Sequence, residues 1–503
     1  MSAGPVAEAI QVFLAPDLLL WLLVGAAAGI LIGALPGLTA VMAITILLPF
    51  TFTQSAERGL AILISVYTGG MSGGLISAIL LRMPGTPSSI ATTFDGYPMA
   101  QQGRAARAMG VGILASFFGT VVGALLLTLA APPLARFALS FGSFEYFALS
   151  LLALSVMVSL SGKSVLKGLL SGLLGLWIAS IGSDPVEAVP RFTLGLTELQ
   201  GGLALLPVLV GVFAVSQVLR ESEHVNKAYL LPPTNYRGFL PSLRELRAHV
   251  GNAIRSALIG VYVGALPGTG GDVAGLLAYD WARRRSRHPE RFGQGAEEGV
   301  VASESANNGV IGGALIPTLT LGIPGNAATA ILLAGLTIHG LNPGPFLFRD
   351  HKELVYSVFA AVFISAFLVL VVQLLGIRLF VGALQFPKHV LLPVVLMFCF
   401  LGSFALNNRI FDIWVLIVFG VLGYVLERGG FPLGPLVLGV ILGPIAENHL
   451  RIGLMTSMGS FTPLFARPLS LAILVLAVAS FLSPLVREWQ QRRAACRKGA
   501  ALA

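Results

Sequence analysis

Charged residues are scarce in this sequence. Lys and Arg number 32 and Asp and Glu number 23, so charged residues make up 11% of the 503 residues, whereas a soluble domain has about 25%. Hydrophobic residues make up 55% of the chain, and apolar stretches of about 20 residues recur throughout. Such a chain cannot hide its apolar surface in water, which predicts an integral membrane protein and excludes a disordered chain.

Cysteine is also scarce. Cys399 lies in an apolar run and Cys496 in a basic tail, a pair that excludes a disulfide-dense scaffold, and both thiols are expected to be free. Lys and Arg are absent before Arg58, so we expect no cleavable signal peptide. The sequence contains neither a Walker-type phosphate loop nor a His-Glu-x-x-His zinc motif, which removes an ATP site and a zinc protease site from consideration.

The basic residues cluster in a few short loops, which indicates membrane topology rather than a nucleic-acid partner. We therefore assign the basic loops to the cytoplasm. The N-terminus, with Glu8 and Asp17 and no cation, and the acid-rich segment 184–198 are then expected outside, with the C-terminus inside. The basic loops contain Arg104 and Arg107, Lys163 and Lys167, and the ranges 220–255, 283–291 and 487–498.

Residues 256–282 lie between two strongly basic loops. If both loops are cytoplasmic, this segment must enter and leave the membrane on the same side. Its arms, 256–266 and 272–282, would each reach about half of a ~30 Å hydrocarbon core. The Pro-Gly-Thr-Gly-Gly turn at 267–271 breaks a helix. The pattern favours a re-entrant hairpin, and a single kinked span is the alternative.

The sequence contains an internal repeat. Gly-Ala-Leu-Pro-Gly at 33–37 recurs at 264–268, 231 positions later. Repeat one contains an odd number of predicted crossings, so repeat two should start on the opposite side, as in the inverted repeats of many secondary transporters. Coincidental small-residue packing motifs are the alternative. Further matches, 240 positions apart, are Gly59 and Gly299, Gly69 and Gly309, Gly73 and Gly313, Pro84 and Pro324, and Gly85 and Gly325.

These patterns predict an all-α integral membrane protein with re-entrant hairpins, broken helices and an inverted-topology repeat. The length of the apolar segments indicates roughly 10–12 transmembrane helices. We expect a first membrane repeat over 1–219, a cytoplasmic linker over 220–250, a second membrane repeat over 251–487 and a basic cytoplasmic tail over 488–503.

The helix breaks are the candidate substrate site. The N-terminus of a half-helix presents free N–H groups and a partial positive charge that suit an anion, and unwound carbonyls suit a small cation. Plain helix kinks are the alternative. The candidate residues are Pro36, Gly37 and Thr39 at the first tip, Gly85, Thr86 and Ser88 at the first break, Pro267, Gly268, Thr269 and Gly270 at the second tip, and Gly325 and Asn326 at the second break.

Polar residues inside an apolar segment form a candidate ion site. Glu304, Asn307 and Asn308 fall at i, i+3 and i+4 and so share one helix face. A carboxylate with amide oxygens suits Na⁺ or H⁺, and helix–helix hydrogen bonding is the alternative. Asp272 follows the second tip and would be a helix cap or a cation ligand. Asp95 would act likewise or simply end its segment.

The motifs resemble the large membrane subunit of the tripartite tricarboxylate transporters, the TctA family. The resemblance spans nearly the whole chain. It implies a secondary active transporter subunit that imports citrate and related carboxylates across the bacterial inner membrane. It also implies an ion gradient, usually of Na⁺, in place of ATP, and no cofactor beyond the coupling ion, Na⁺ or H⁺. The implied partners are a small membrane subunit and a periplasmic solute-binding protein. The matching stretches are 33–39, 84–87, 95–99, 264–271, 307–325 and 340–345.

The sequence departs from the family pattern at two positions. Ser305 stands where Ala is expected, and Arg82 stands where a small polar residue is expected. Arg82 precedes Pro84, so it could meet a substrate carboxylate or extend to the membrane interface. Because of Arg82, the resemblance does not fix the substrate.

Two other functions fit parts of the sequence. A stand-alone carboxylate carrier would need no binding protein. An intramembrane protease is suggested by Gly-Met-Ser-Gly at 70–73, which matches the Gly-x-Ser-Gly of rhomboid proteases, with His339 or His389 as base. The repeat aligns Ser72 with Gly312, which favours a packing role, so we do not expect an enzyme.

Overall fold

A computed structural model describes residues 16–160, 164–184, 186–225 and 238–483. Expectations that concern Glu8, Lys163, Cys496, the linker residues 226–237 and the tail 488–503 fall outside these ranges. Within them the chain is almost entirely helical. Two short strands, β1 (Gly182–Ser183) and β2 (Pro190–Arg191), pair in antiparallel fashion.

The helices are numbered here in chain order. Turns of 3₁₀ helix lie at Leu48–Thr51, Pro87–Ser89, Thr197–Leu199 and Pro289–Arg291. The α-helices are α1 (Pro16–Ala34), α2 (Ala40–Leu47), α3 (Ala56–Leu81), α4 (Thr92–Gln101), α5 (Ala105–Ala138), α6 (Ser143–Leu160), α7 (Val165–Ala179), α8 (Leu205–Ser222, with a π-helical stretch at Gly211–Val215), α9 (Leu243–Gly264), α10 (Gly270–Arg285), α11 (Glu297–Leu321), α12 (Ala327–Ile338), α13 (Pro345–Asp350), α14 (Lys352–Ala383), α15 (Lys388–Asn407), α16 (Ile410–Arg428), α17 (Leu433–Thr456), α18 (Thr462–Ala466) and α19 (Pro468–Ser483).

Eight of the described helices are long and apolar enough to cross a membrane, namely α1, α3, α5, α8, α14, α15, α16 and α17. Shorter apolar helices, among them α7, α12 and α19, supplement these spans. The predicted all-α, multi-pass membrane fold is confirmed.

Helix α3 is the buried centre of repeat one, with every residue from 59 to 80 buried. Helix α1 runs parallel to it, because Ser65 donates a 2.6 Å hydrogen bond to the carbonyl of Leu22 near the start of α1, and Gly33 at its end packs on Gly70. Helix α2 runs back along α3, since Ala40 at its start also contacts Gly70. The helices α1 and α2 therefore form a hairpin, called hairpin one, with its tip at residues 35–39.

Helix α11 occupies the corresponding place in repeat two, with every residue from 299 to 320 buried. Helix α9 runs parallel to it. Asn252 donates a 2.9 Å hydrogen bond to the carbonyl of Glu298 at the start of α11, and Gly264, at the end of α9, packs on Ala314 further along α11. Helix α9 therefore packs on α11 in the same direction as α1 packs on α3.

Helix α10 runs back along α11. Gly271 at its start contacts Asn307, and Tyr279 two turns later contacts Gly299. The chain therefore reverses at residues 265–269, and α9 and α10 form hairpin two. This geometry agrees with the hairpin interpretation of residues 256–282 and contradicts the single kinked span.

The arms of hairpin two are longer than the sequence indicated. Helix α9 starts at Leu243, where Ser242 and Glu245 form a reciprocal capping box. Hydrogen bonds from Ser242, and then from Arg107, lower the pKa of Glu245 to about 2. The helix thus extends into the basic linker because capping and charge stabilise it outside the apolar segment.

The repeats use corresponding glycines in corresponding contacts. A Cβ atom at Gly69 would lie 2.5 Å from the carbonyl oxygen of Ala26, and one at Gly309 would lie 2.6 Å from that of Ala257. The two glycines lie 240 positions apart and the two alanines lie 231 positions apart, which are the two spacings of the sequence repeat. The repeat is therefore a repeat of backbone packing, and the coincidental alternative is wrong.

The two repeats are also inverted. Asn307 on α11 donates a 3.3 Å hydrogen bond to the carbonyl of Met71 on α3. One turn further along α3, Leu75 lies beside Gly112. Gly112 also contacts Val300, which lies about two turns before Asn307 on α11. Helices α3 and α11 therefore run antiparallel. Since each hairpin packs in the same way on its own central helix, the two hairpins are also inverted relative to each other, as in inverted-repeat transporters.

The chain divides into two compact units. The first comprises the residues through Leu139 together with Leu206–Tyr424, and it contains both hairpins and both central helices. This division by packing cuts the chain differently from the division by repeats, whose proposed boundaries stay a prediction.

The second unit comprises Ser140–Leu205 together with the residues from Val425. Here α17 packs on α6 and α7, and Asp184 forms ion pairs with Arg451 at 2.5 Å and Arg191 at 3.6 Å. The backbone N–H groups of Glu187 and Val186, and then these two arginines, lower the pKa of Asp184. The acid-rich loop is therefore anchored by ion pairs within its own unit.

Candidate functional site

The first helix break sends the chain back toward the middle of α3. Helix α3 ends at Leu81, and Arg82 adopts a left-handed conformation with φ 56°. Gly85 then donates a 3.4 Å hydrogen bond to the carbonyl of Gly74, two turns back in α3. The break thus places the following residues beside a buried helix, away from the end of α3.

Three hydroxyl groups gather at this break. Thr86 Oγ1 lies 2.8 Å from Ser88 Oγ and 3.2 Å from Ser89 Oγ. All three side chains are buried. A Cβ atom at Gly74 would lie 2.5 Å from the Ser89 hydroxyl and 2.6 Å from that of Thr86, so a glycine is needed where α3 faces this cluster.

The start of α10 meets the same cluster. A Cβ atom at Gly271 would lie 2.6 Å from Cβ of Ser88, 2.8 Å from Oδ1 of Asn307 and 3.1 Å from Cε of Met71. The lack of a side chain at Gly271 therefore lets α10, the first break and α11 come together. We call the close junction of Thr86, Ser88, Gly271 and Asn307 the tip pocket.

Asn307 brings an unpaired oxygen to the tip pocket. Its Nδ2 donates to the carbonyl of Met71, and its side chain is fully buried. Its Oδ1 accepts no hydrogen bond from any residue that the structure describes. A buried polar atom left unpaired costs about 1–3 kcal/mol, so a positively charged ligand or a donor there would relieve that cost.

The tip of hairpin two is tied to the second break. Pro267 ends the α9 arm, and Gly268 and Gly270 take positive φ angles of 76° and 71°. Gly268 donates a 2.7 Å hydrogen bond to the carbonyl of Gly325. The Thr269 hydroxyl donates to the carbonyl of Leu266 at 2.9 Å and also to that of Val263. These bonds pair free carbonyl groups at the end of α9, so the Thr269 hydroxyl already has its partners.

The tip of hairpin one is covered differently. Gly37 has φ 87°, and Gln217 donates a 2.7 Å hydrogen bond to its carbonyl. The carboxylate of Glu221 packs directly against the Gly37 Cα and pairs with Lys388 at 2.5 Å. Residues of α8 and α15 therefore close this tip.

Two further candidates at hairpin one lie near that cover. Pro36 lines a small crevice with Glu221 and Lys388. Thr39 caps α2, accepting a 3.2 Å hydrogen bond from the N–H of Met42. The Thr39 hydroxyl thus already has the helix-capping role that its position allows.

The second break is fully hydrogen-bonded. Asn326 caps α12, since its Oδ1 accepts a 2.9 Å hydrogen bond from the N–H of Thr329. Its Nδ2 donates to the hydroxyl of Tyr67 at 2.7 Å. Tyr67 is one helical turn from Met71 on α3, so this break and the tip pocket lie on consecutive turns of the same helix.

Glu304 lies in a second polar space, the acid pocket, bounded by Glu304, Thr92, Ser116 and Asn308. Oε1 accepts a hydrogen bond from Thr92 at 2.5 Å, and Oε2 accepts from Ser116 at 2.9 Å and from Asn308 at 3.3 Å. The carboxylate is fully buried. The predicted face thus brings the three residues together, because Asn308 and Asn307 both lie within hydrogen-bonding reach of Glu304, and Oδ1 of Asn307 also reaches Gly271.

The two aspartates hold backbone groups. Asp95 Oδ1 accepts from the N–H groups of Gly293 at 2.8 Å and of Gly295 and Ala296 at 2.9 Å, which ties α4 to the loop before α11. Asp272 is the third residue of α10, in its first turn, where a negative charge is favoured by the partial positive charge of the helix N-terminus. The described residues contain no cluster of three or more His, Cys, Asp or Glu suited to a metal ion.

Ser72 is engaged by a glutamine on another helix. Its hydroxyl donates a 2.9 Å hydrogen bond to Oε1 of Gln373 on α14. His339 instead lies against Gly59, about 20 Å away along α3 at 1.5 Å per residue. The Ser–His pair that a rhomboid-like protease would use is therefore not formed with His339.

Sequence reasoning missed several residues of the two pockets. Thr92 and Ser116 hold Glu304 from other helices, and Tyr67 holds Asn326. Their hydroxyl groups inside apolar segments were a signal, because buried polar groups need partners. Gly271 could have been found from the Gly-Gly pair that opens α10.

The comparisons with known proteins agree with this architecture. A sequence profile described as the tripartite tricarboxylate transporter TctA family matches residues 19–438. An uncharacterized 52.8 kDa protein of the TAR-I ttuC' 3' region of Agrobacterium vitis is 37% identical over 480 residues, which cover 95% of each chain. An uncharacterized protein of the TAR-II ttuC' 3' region of the same organism is 35% identical over 234 residues, 46% of this chain and 97% of that protein. The chain therefore belongs to the tripartite tricarboxylate transporter TctA family, a family of transporter subunits.

Proposed function

We propose that this chain is the large membrane subunit of a tripartite secondary transporter that imports carboxylates across the bacterial inner membrane. A periplasmic solute-binding protein would deliver the substrate, and a small membrane subunit would complete the complex. The observation that carries the proposal is the tip pocket, where a hairpin tip and a helix break meet between two inverted central helices. Broken helices at the interface of inverted repeats are where secondary transporters bind their substrates.

The chemistry around the breaks suits a carboxylate. Helices α10 and α12 begin at the second tip and the second break, so their N-terminal N–H groups and partial positive charge favour an anion. The hydroxyls of Thr86 and Ser88 can donate hydrogen bonds to carboxylate oxygens. Citrate and smaller carboxylates are therefore the first substrates to test.

The energy would come from an ion gradient. Glu304 is a fully buried carboxylate on the central helix α11, and ionisable groups inside a membrane bundle usually serve an ion or proton pathway. We expect Glu304→Gln to weaken the dependence of uptake on the ion gradient. Unchanged Na⁺ and pH dependence in this variant would remove Glu304 from the coupling step.

Orientation is part of the proposal. Arg107, Glu245 and Glu297 form a charged cluster at the start of α5, α9 and α11, in the part of the sequence whose loops are most basic. The positive-inside rule places this cluster in the cytoplasm. The ion pair between Asp17 and Arg58 then lies on the periplasmic side, with the N-terminus.

The test is uptake of labelled carboxylates into proteoliposomes that hold this chain and its small partner. An inward Na⁺ gradient, an inward proton gradient and no gradient are compared, each with and without substrate-loaded binding protein. We expect uptake that needs both a gradient and the binding protein. Uptake from a gradient alone would favour a stand-alone carrier, and no uptake of any carboxylate under any condition would contradict the substrate class.

A further inference from the structure

We propose that Lys388 and Gln217 form a carboxylate-binding subsite at the tip of hairpin one, and that the carboxylate of Glu221 occupies this subsite until a substrate carboxylate displaces it. The subsite rests on the proposed carboxylate transport and deepens it, because it supplies a cation for the substrate anion, which the tip pocket does not. It also makes Glu221 an internal competitor of the substrate.

The Glu221 carboxylate lies against the backbone of the hairpin tip. It packs directly on the Cα of Gly37, where a Cβ atom would collide with it. Its Oε2 accepts a 2.5 Å hydrogen bond from Lys388 Nζ, and its Oε1 accepts one from Gln217 Nε2 at 3.3 Å. The tip of hairpin one thus already receives a carboxylate group and provides each of its oxygens with a donor.

Gln217 links this carboxylate to the hairpin itself. Its Nε2 also donates a 2.7 Å hydrogen bond to the carbonyl of Gly37, and it lies four residues before Glu221, one turn earlier on α8. The same amide group therefore contacts both the tip and the carboxylate. A substrate carboxylate in the place of Glu221 would be bound by the same two donors, beside the same glycine.

The ion pair is largely buried among apolar side chains. The side chains of Lys388 and Glu221 are 11% and 16% exposed, and Leu35, Leu384 and Leu391 line the crevice around them. Apolar residues of similar size are often as stabilising as a buried ion pair, whereas removing one partner is strongly unfavourable. Glu221 is therefore expected to leave Lys388 readily only when another carboxylate replaces it, an exchange that conserves the buried charge.

The second hairpin shows why the subsite belongs to the first. Gly268, 231 positions after Gly37, donates its N–H to the carbonyl of Gly325 at the break of its own repeat. The tip of hairpin two is thus tied by a backbone hydrogen bond, and that of hairpin one is held by side chains from α8 and α15. Among these side chains is a carboxylate, so hairpin one is the tip at which an anionic substrate can compete.

The first experiment tests whether an external carboxylate can replace that of Glu221. Thermal unfolding of purified Glu221→Ala protein in detergent is followed as sodium acetate replaces sodium chloride at constant ionic strength and pH. In chloride we expect the unfolding midpoint to fall by about 5 °C relative to wild-type protein, because the buried Lys388 loses the carboxylate beside it. Acetate should restore most of this loss saturably, and it should do so no longer in the double variant Glu221→Ala, Lys388→Met.

Asp350→Ala is the control for a general effect of acetate. It removes the carboxylate that pairs with Arg349 at 2.7 Å, but this pair is exposed, and exposed pairs contribute little to stability. Its midpoint should be close to that of wild-type protein and equal in acetate and in chloride. Acetate that stabilises Asp350→Ala or the double variant as much as Glu221→Ala would overturn the subsite.

The second experiment measures the half-saturating concentration of labelled citrate and of labelled succinate for uptake into proteoliposomes. Lys388→Met should raise it by about tenfold or more, a loss of about 1.4 kcal/mol, because the substrate loses its cation. Glu221→Gln keeps the shape of the side chain and removes the competing charge, so it should lower that concentration. An ion pair that only stabilised the fold would weaken uptake in both variants, and this result would contradict the subsite even if Glu221→Ala does not purify as a folded protein.

Failure of the subsite and failure of the proposed function give different results. A Glu221→Ala protein that is destabilised but does not respond to acetate, in a system that transports citrate or succinate, removes the subsite and leaves the transport proposal in place. Rescue by acetate that depends on Lys388, with no uptake of any carboxylate by the wild-type complex, contradicts the transport proposal and leaves the carboxylate subsite in place.

Discussion

Repeat one and repeat two place different side chains at corresponding positions of their buried central helices. Helix α3 is buried over residues 59–80 and α11 over residues 299–320, the same stretch shifted by 240 positions. Within it, α11 carries Glu304 and Asn307 where α3 carries Ile64 and Tyr67. Of the two central helices, only α11 thus carries a carboxylate and an amide at these two positions.

The backbone contacts, by contrast, are shared. Gly85 packs on the carbonyl of Gly33 in repeat one, and Gly325 packs on the carbonyl of Gly264 in repeat two. A close approach of two backbones needs glycine in both copies, whereas an inward-facing side chain can change without moving the helices. The comparison teaches that the repeated glycines specify the close packing of the helix backbones, which we call the frame. The function must be sought where the side chains of the two copies differ.

The largest expected effect comes from breaking the shared frame. A Cβ atom at Gly325 would lie 2.5 Å from the carbonyl oxygen of Gly264 and 2.6 Å from Cα of Ala314, so Gly325→Val must displace backbone. We expect a loss of about 3 kcal/mol or more and no carboxylate uptake, with the protein still inserted in the membrane. Uptake assays and thermal unfolding of the purified variant check this.

The counterpart in repeat one, Gly85→Val, should fail in the same way, because its Cβ would collide with the carbonyl oxygen of Gly33. Gly251→Ala is the control, since no atom lies within 4 Å of a Cβ atom there, and it should be neutral. Gly268→Val should also abolish uptake, because it substitutes a left-handed residue at the hairpin tip. Normal uptake by any of the three valine variants would contradict a shared rigid frame.

An intermediate effect is expected where the repeats differ. Thr92 donates its hydroxyl to Glu304 at 2.5 Å, so Thr92→Val leaves a buried carboxylate oxygen without its donor. We expect the free energy of unfolding to fall by about 1.5–3 kcal/mol, measured by thermal unfolding in detergent. In the Glu304→Ile background, which installs the residue of repeat one, Thr92→Val should cost much less, because the carboxylate that accepts from Thr92 is already absent.

The neighbouring hydroxyl provides the control for this change. Thr93 donates to the carbonyl of Ile90 at 2.6 Å, so Thr93→Val should cost about 1 kcal/mol whether or not Glu304 is present. Equal losses in Thr92→Val and Thr93→Val, both independent of Glu304, would mean that the acid pocket contributes nothing special to repeat two.

Much of the frame could be predicted from sequence because glycine and proline act locally. The repeated Pro-Gly pairs predict hairpin tips and helix breaks, and the structure reverses the chain at 265–269 and breaks it after Leu81 and Leu321. The arms could not be bounded as well. Helix α9 begins at Leu243 through a capping box in a polar segment, where hydropathy gives no indication of a helix.

The side-chain partners could not be predicted, because they come from distant parts of the chain. Thr92 and Ser116 meet Glu304 from about 200 residues away, and only packing decides which hydroxyls do so. The helix face did predict that Asn307 and Asn308 lie beside Glu304, because residues at i+3 and i+4 are neighbours on a helix. The second compact unit likewise joins two segments that the sequence separates.

The smallest expected effect concerns a position where the two repeats share a left-handed backbone conformation but differ in the residue that adopts it. Arg82 ends α3 with φ 56° and ψ 22°, and Gly322, its counterpart, ends α11 with φ 71° and ψ 18°. Because a left-handed conformation costs a non-glycine residue about 1–2 kcal/mol, we expect Arg82→Gly to stabilise the protein by about 1 kcal/mol. Part of the gain is offset by loss of the guanidinium contact with Tyr97, 5.7 Å from the ring centre.

The reciprocal change, Gly322→Ala, should destabilise the protein by a similar amount, since its Cβ would also lie 3.1 Å from the carbonyl oxygen of Pro343. Thermal unfolding of both variants measures this pair. Carboxylate uptake separates the two interpretations of Arg82. If the exposed side chain only reaches the membrane interface, Arg82→Gly keeps wild-type uptake. If uptake falls while stability rises, Arg82 binds substrate, and repeat one then contributes a cation at the position where repeat two has glycine.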